Sequence, residues 1–145
     1  MQAAVLEYPV SSYRAEPPAD LESRAERERL SKPALKAFFN IVARWGVRDE
    51  DARALLGGVS NGPFYEMKRR AGRLLDADRL VRISYLIGIY KALHILHGDA
   101  LADEWVRLPN RNPIFGGQTP LAYMTRGGQP AMQIVRRLLD ARRAG

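Results

Sequence analysis

Between Asp76 and His97 the chain carries Leu80, Val81, Ile83, Leu86, Ile87, Ile89, Tyr90, Leu93, Ile95 and Leu96. That spacing leaves a helix with almost no polar face, and such a helix has to be buried on all sides. Arg82, Lys91, His94 and His97 argue against a membrane span. The rest of the chain must therefore be built around this helix, which is expected to be the longest in the molecule. A protein of 145 residues holds one compact domain, or two small helical ones sharing a core. One subunit has little to spare for covering such a helix, so a homodimer interface is expected here. Gly88, in its middle, would let another helix approach closely.

The flanking segments read as helices with defined ends. Asp20 to Leu30 is rich in charge, with only Leu21, Ala25 and Leu30 apolar. This predicts a solvated helix laced by ion pairs three and four residues apart. Ser31 then reads as the cap of a stronger helix with Pro33 in its first turn. Leu35, Phe38, Phe39 and Val42 line one buried face, Trp45 extends it and Gly46 closes it. Asp49, Glu50 and Asp51 open the next helix, where carboxylates favour the positive end of the dipole. It ends at Leu56-Gly57-Gly58, and another helix runs from Ser60 through Phe64, Met67 and Arg70. Ala100 to Leu108 reads as a short helix stopped by Pro109. Pro130 to Ala144 reads as the last helix, with Ala131, Ile134, Val135 and Leu138 toward the core. No strand and no internal repeat is evident. The fold class is all-α.

Residues 1–19 read as an extended arm broken by Pro9, Pro17 and Pro18. Tyr8, Val10 and Tyr13 are its points for packing on a partner. The first residues lack a basic region and a long apolar run, so no signal peptide is expected. Cysteine is absent, which removes disulfides and thiolate metal sites and fits a cytoplasmic location. His94 and His97 are a weak metal pair beside Asp99 and Glu104. No phosphate loop and no catalytic triad motif is present. Neither enzyme activity nor a cofactor is expected. The net charge of +7, with Arg far in excess of Lys, points to an acidic partner: nucleic acid or an acidic protein face.

Two segments carry function. The first, residues 49–70, resembles a helix-turn-helix. Ala54 is small where two helices would cross, Gly58 is at the turn, Val59 plugs it, and Phe64 and Met67 face inward. In the DNA-binding version the second helix enters the major groove. Ser60, Asn61 and Tyr65 would then face the bases, and Lys68, Arg69, Arg70 and Arg73 the phosphates. Gly62, Pro63 and Glu66 suit DNA poorly, so a purely structural corner is the alternative reading.

The second segment is Trp105 to Tyr123, W-V-R-L-P-N-R-N-P-I-F-G-G-Q-T-P-L-A-Y. Pro109 ends a helix, Asn110 and Asn112 suit turns, and Phe115 plugs the loop onto the core. Gly116 and Gly117 permit positive φ. Thr119 caps a helix, with Pro120 at its first position and Leu121 anchoring it. Gly127-Gly128 then turns the chain.

The order P-N, an aromatic-Gly step and T-P-L resembles the motif of the Xre/MbcA/ParS family of toxin-binding antitoxins, ParS-like. Trp105, Pro109, Asn110, Phe115, Gly116, Thr119, Pro120 and Leu121 carry the likeness. The resemblance implies Xre-like helix-turn-helix helices followed by a small helical toxin-binding domain. It divides the chain into the arm at 1–19, a helix-turn-helix region at 20–75, the long buried helix at 76–98 and the toxin-binding domain at 99–145. It implies a cognate RES-domain toxin as partner, in a hetero-oligomeric complex, with the toxin's NAD-consuming or ADP-ribosylating site blocked and the operon repressed. The motif residues read as builders of the domain, so direct contact is sought among basic residues. Arg126, Arg136, Arg137, Arg142, Arg143 and the terminal Gly145 are the candidates. Arg136 and Arg137 would lie on the outer face of the last helix, and its two-arginine tip and carboxylate would enter the toxin's cleft. The rival reading is a stand-alone helix-turn-helix repressor whose C-terminal domain serves only assembly.

Overall fold

The computed structural model describes residues 19–70 and 72–144. The expectations for Tyr8, Val10, Tyr13 and Gly145 lie outside these residues. The described residues form six α-helices and two short 3-10 turns, and no strand.

Helix α1 spans Arg24–Arg44 as one rod. The two helices expected on either side of Ser31 are continuous. Ser23 is the cap, its Oγ accepting from Glu26 N at 3.3 Å. The Arg24–Glu28 and Arg29–Glu26 pairs lie along the first turns, and Pro33 is carried inside the helix on an exposed position. Ser31 has a different task. It is 3% exposed; its hydroxyl donates to Arg27 O at 2.6 Å and accepts from Leu75 N at 2.9 Å. It thereby pins the chain that leads into α4 against α1.

Helices α1 and α2 (Asp49–Leu55) end alike. Val47 N donates to Val42 O and Gly46 N to Ala43 O; Gly58 N donates to Arg53 O and Gly57 N to Ala54 O. This is the paired Schellman closure, which needs a left-handed residue just past the helix. Gly46 (φ 64°) and Gly57 (φ 91°) supply it. The small buried residue of α2 is Ala52, 1% exposed, whereas Ala54 is half-buried. Val59, Phe64 and Met67 are buried as expected. Helix α3 (Asn61–Arg70) packs on α1, with Phe64 and Phe39 rings 5.5 Å apart.

Helix α4 (Ala77–Leu96) starts on Asp76, whose Oδ1 accepts from Arg79 N at 2.9 Å. It is the spine of the molecule, packed along α1, α5 and α6. It is not the longest helix, and it is not covered all round: Ser84 and Lys91 face solvent and Ile95 is 62% exposed. Its own chain does most of the covering expected of a partner. No helix among the described residues is long and apolar enough to cross a membrane.

Helix α5 (Asp99–Glu104) is shorter than expected and passes into a 3-10 turn at Trp105–Arg107. Helix α6 (Pro120–Ala144) contains a kink at Gly128 (φ 64°, ψ −147°), so Gly127-Gly128 bends the chain between two helical halves. Beyond the kink, Ala131, Met132, Val135 and Leu139 are buried. Ile134, expected in the core, is 42% exposed. One hydrophobic cluster runs from Leu35, Phe38 and Trp45 of the first helix through Ile83, Leu86 and Ile89 to Phe115, Val135 and Leu139. The two halves of the chain therefore share a single core.

Candidate functional site

The loop between α5 and α6 is built from side chains that close on their own backbone. Asn110 Oδ1 accepts from Asn112 N at 2.9 Å, and Asn112 Oδ1 from Ile114 N at 3.1 Å. These two turns launch a 3-10 turn at Pro113–Phe115, ended by Gly116 in the left-handed region. Phe115 is 1% exposed. It stands edge-on to Trp105 (6.1 Å) and to Tyr123 (5.3 Å), a favoured aromatic geometry. Gln118 N returns to Phe115 O, and Thr119 Oγ1 accepts from Ala122 N at 3.1 Å to start α6. Pro120 is buried and Leu121 packs against the core. Pro109 lies exposed beyond the 3-10 turn, not at the end of an α-helix. The expected roles of the Asn, Phe, Gly and Thr residues hold.

His94 joins α4 to α5. Its Nδ1 meets Asp99 Oδ1 and its Nε2 meets Asp103 Oδ1, both at 3.0 Å, while its ring lies tilted against Tyr90 with centroids 4.3 Å apart. Asp103 takes the place foreseen for Glu104. No group of three or more potential metal ligands occurs among the described residues.

Three arginines fill spaces that glycines leave open. Arg107 lies over Gly46 and Arg82 over Gly57. Arg82 also donates to Asp78 Oδ2 (2.9 Å), and Gln129 of α6 donates to Asp78 Oδ1 (2.6 Å). Arg136 lies across Gly88, where an added Cβ would meet its Nη1 at 1.6 Å. The close approach expected of a second helix at Gly88 is made instead by this guanidinium. Arg136 is thus not free on an outer face; its Nε also donates to Asp140 Oδ2 at 3.0 Å.

The Gln129–Asp78 and Arg136–Gly88 contacts show that the second half of α6 runs in the same direction as α4. The same step along both helices, about 10 Å, leads from Gly88 to Ile95 and from Arg136 to Arg143. The basic end of α6 and the exposed Ile95 therefore lie toward one end of the bundle. There Arg143 pairs with Asp140 at 3.7 Å, while Arg137 and Arg142 are exposed and have no ion-pair partner among the described residues. Arg126 is exposed just before the kink.

Sequence reasoning, weighted toward charge, passed over the apolar surface. Ile95, Leu101, Leu108, Ile114 and Ile134 are all between 38% and 62% exposed. The sequence pattern predicts core for Ile134 and a buried helix for Ile95; the fold leaves both exposed.

On α3 and the turn before it, Ser60, Asn61, Tyr65, Lys68, Arg69 and Arg70 are all exposed. Two of them are engaged: Tyr65 Oη donates to Asp49 Oδ2 (3.5 Å) and Lys68 Nζ pairs with Asp49 Oδ1 (3.1 Å). Ser60, Asn61, Arg69 and Arg70 have free side chains among the described residues.

Comparison with known proteins bears on the C-terminal half first. Residues 91–145 match the family model described as the antitoxin Xre/MbcA/ParS C-terminal toxin-binding domain. The match begins inside α4. Over 112 residues the chain is 39% identical to "Uncharacterized protein y4oB" of Sinorhizobium fredii (strain NBRC 101917 / NGR234), covering 77% of this chain and 84% of that protein. No solved structure matches the chain. The chain belongs to one family with this rhizobial protein, and its residues 91–145 are similar to the C-terminal toxin-binding domain of the Xre/MbcA/ParS antitoxins.

Proposed function

We propose that the chain is the antitoxin of a type II toxin–antitoxin pair, and that it covers the active-site cleft of a RES-type toxin that consumes NAD or transfers ADP-ribose. One observation carries the reading. The matched toxin-binding segment ends in a basic helix whose Arg137 and Arg142 have no ion-pair partner among the described residues. Guanidinium groups form bidentate pairs with carboxylates, so this end suits acidic groups in a cleft. Arg126 is a further contact. Arg136 and Arg143 contribute only by leaving Asp140, which they share.

Co-expression with the product of the neighbouring gene tests the proposal. The expected result is a stable complex in which the toxin's NAD consumption stops, with its size measured by light scattering. Deleting residues 142–145 is expected to weaken neutralisation. If the shortened chain still inhibits its toxin fully, the tip is not the inhibitory element.

The proposal includes a homodimer and repression of the chain's own operon. An apolar hollow of about 370 Å³ between α1 and α4, lined by Leu30, Ala34, Ile83 and Ile87, favours self-association. The free side chains of Ser60, Asn61, Arg69 and Arg70 favour contact with DNA. Sequence-selective, salt-dependent DNA binding with no toxin partner found would favour the stand-alone repressor instead.

A further inference from the structure

A second hollow, of about 450 Å³, lies where α1, the α2–α3 turn and the segment entering α4 meet. Arg27, Arg73 and Arg79 line it, together with Ser60 and one acid, Asp76. That acid is already engaged. Its Oδ1 accepts from Arg79 N, and its Oδ2 pairs with Arg79 Nη1 at 3.1 Å. Arg27 Nη1 donates to the carbonyls of Leu21 (2.9 Å) and Glu22 (3.0 Å). Carbonyls orient the guanidinium and leave its charge uncompensated. Arg73 is exposed and has no ion-pair partner among the described residues. The concave site thus holds an excess of positive charge on groups whose planar forks match phosphate oxygens.

The start of α2 has the reverse character. Helix α2 opens with Asp49, Glu50 and Asp51, and Asp49 occupies both Tyr65 and Lys68. A phosphate approaching this half of the molecule is repelled there and drawn to the arginine-lined side. The hollow also falls within the size range of small-ligand sites, about 300–1,000 Å³.

We infer that this hollow binds a phosphate group, held by Arg27 and Arg73 beside the Asp76–Arg79 pair. Two sources share that chemistry: a free nucleotide or the backbone of a DNA duplex. The inference does not rest on the toxin reading and survives its failure.

The test uses the full chain at low salt with three probes: inorganic pyrophosphate, ADP and a duplex from the chain's own upstream region, each titrated calorimetrically. Arg73→Glu is the informative variant, since Arg73 is exposed and its loss breaks no bond of the fold. The expected result is at least a tenfold loss of affinity, with Arg73→Lys restoring part of it. Arg44→Glu, about 25 Å along α1 from Arg27, is the charge-matched control and is expected to change affinity far less. If pyrophosphate and ADP bind and the duplex does not compete, the ligand is a nucleotide. If the duplex binds and Arg73→Glu lowers its salt slope by about one, the ligand is a DNA phosphate. Either outcome supports the site. Equal losses in Arg73→Glu and Arg44→Glu, or no loss in Arg73→Glu, would overturn it. Circular dichroism of each variant separates unfolding from lost binding.

Discussion

The first three helices and the segment from 91 onward share a core but present opposite surfaces. Of the seven large hydrophobic residues exposed among the described residues, five (Ile95, Leu101, Leu108, Ile114, Ile134) lie in the toxin-binding segment. The N-terminal part carries only Tyr65 and Leu74, and its surface is dominated by charge: ion pairs along α1, an acidic start to α2 and a basic α3. Contiguous apolar patches on a folded protein mark interaction sites, whereas single exposed hydrophobic residues are ordinary. Unpaired arginines mark where anions sit. The difference teaches that a charge-led reading of the last helix passes over the exposed apolar residues of the same segment.

The largest expected effect tests whether the core is really shared. Phe115→Ala removes a fully buried ring and is expected to cost about 3–5 kcal/mol. Chemical denaturation followed by both tryptophan fluorescence and circular dichroism should still give one coincident transition. Two separated transitions would mean that the two regions are independent domains.

Next comes Ser31→Ala, which leaves the buried Leu75 N–H without its acceptor. A lost partner of this kind costs about 1–3 kcal/mol, read as a lower midpoint in urea. An unchanged midpoint would show that the Ser31 bridge does not fasten the chain entering α4 to α1.

Leu101→Asp and Ile134→Asp sharpen the contrast in surfaces. Both sites are solvent-facing, so stability should move by only about 0.5 kcal/mol. Affinity for the toxin should fall tenfold or more, about 1.4 kcal/mol. Unaltered affinity in both variants would place recognition on the arginines alone.

The smallest effect is that of Asp49→Asn. The pair with Lys68 is half-exposed, and such pairs contribute up to about 1 kcal/mol. The midpoint should barely change. Any duplex binding by α3 should tighten, because Tyr65 and Lys68 are released; weaker binding would count against α3 as the DNA-facing helix.

Much of this architecture could be read from local pattern. Thr119 was legible as a cap, because a cap and its N–H are three residues apart. The closures at Gly46 and Gly57 and the turns at Asn110 and Asn112 are equally local. What failed was long-range. A serine before an apolar stripe looks like a cap, and nothing near Ser31 announces a bond to Leu75. The register after Gly128 is set by the kink, so extrapolated periodicity chose Ile134, which the fold leaves exposed, and passed over Met132 and Leu139, which it buries. Arg136 looked like a surface charge because its seat, Gly88, is on another helix. At the site, the loop-building residues were legible and the exposed apolar ones were not, since exposure is decided by which neighbours arrive.

The shared core has a consequence for the lifetime of the protein. Helix α4 lies against α1 on one side and α6 on the other, and the matched segment begins only at residue 91. A fragment starting there would lack Ile83, Leu86 and Ile89, which belong to the same apolar cluster as Met132, Val135 and Leu139. The toxin-binding segment is therefore not a portable module. Proteolytic release of the residues before 91 would therefore expose the buried face of α6 to water.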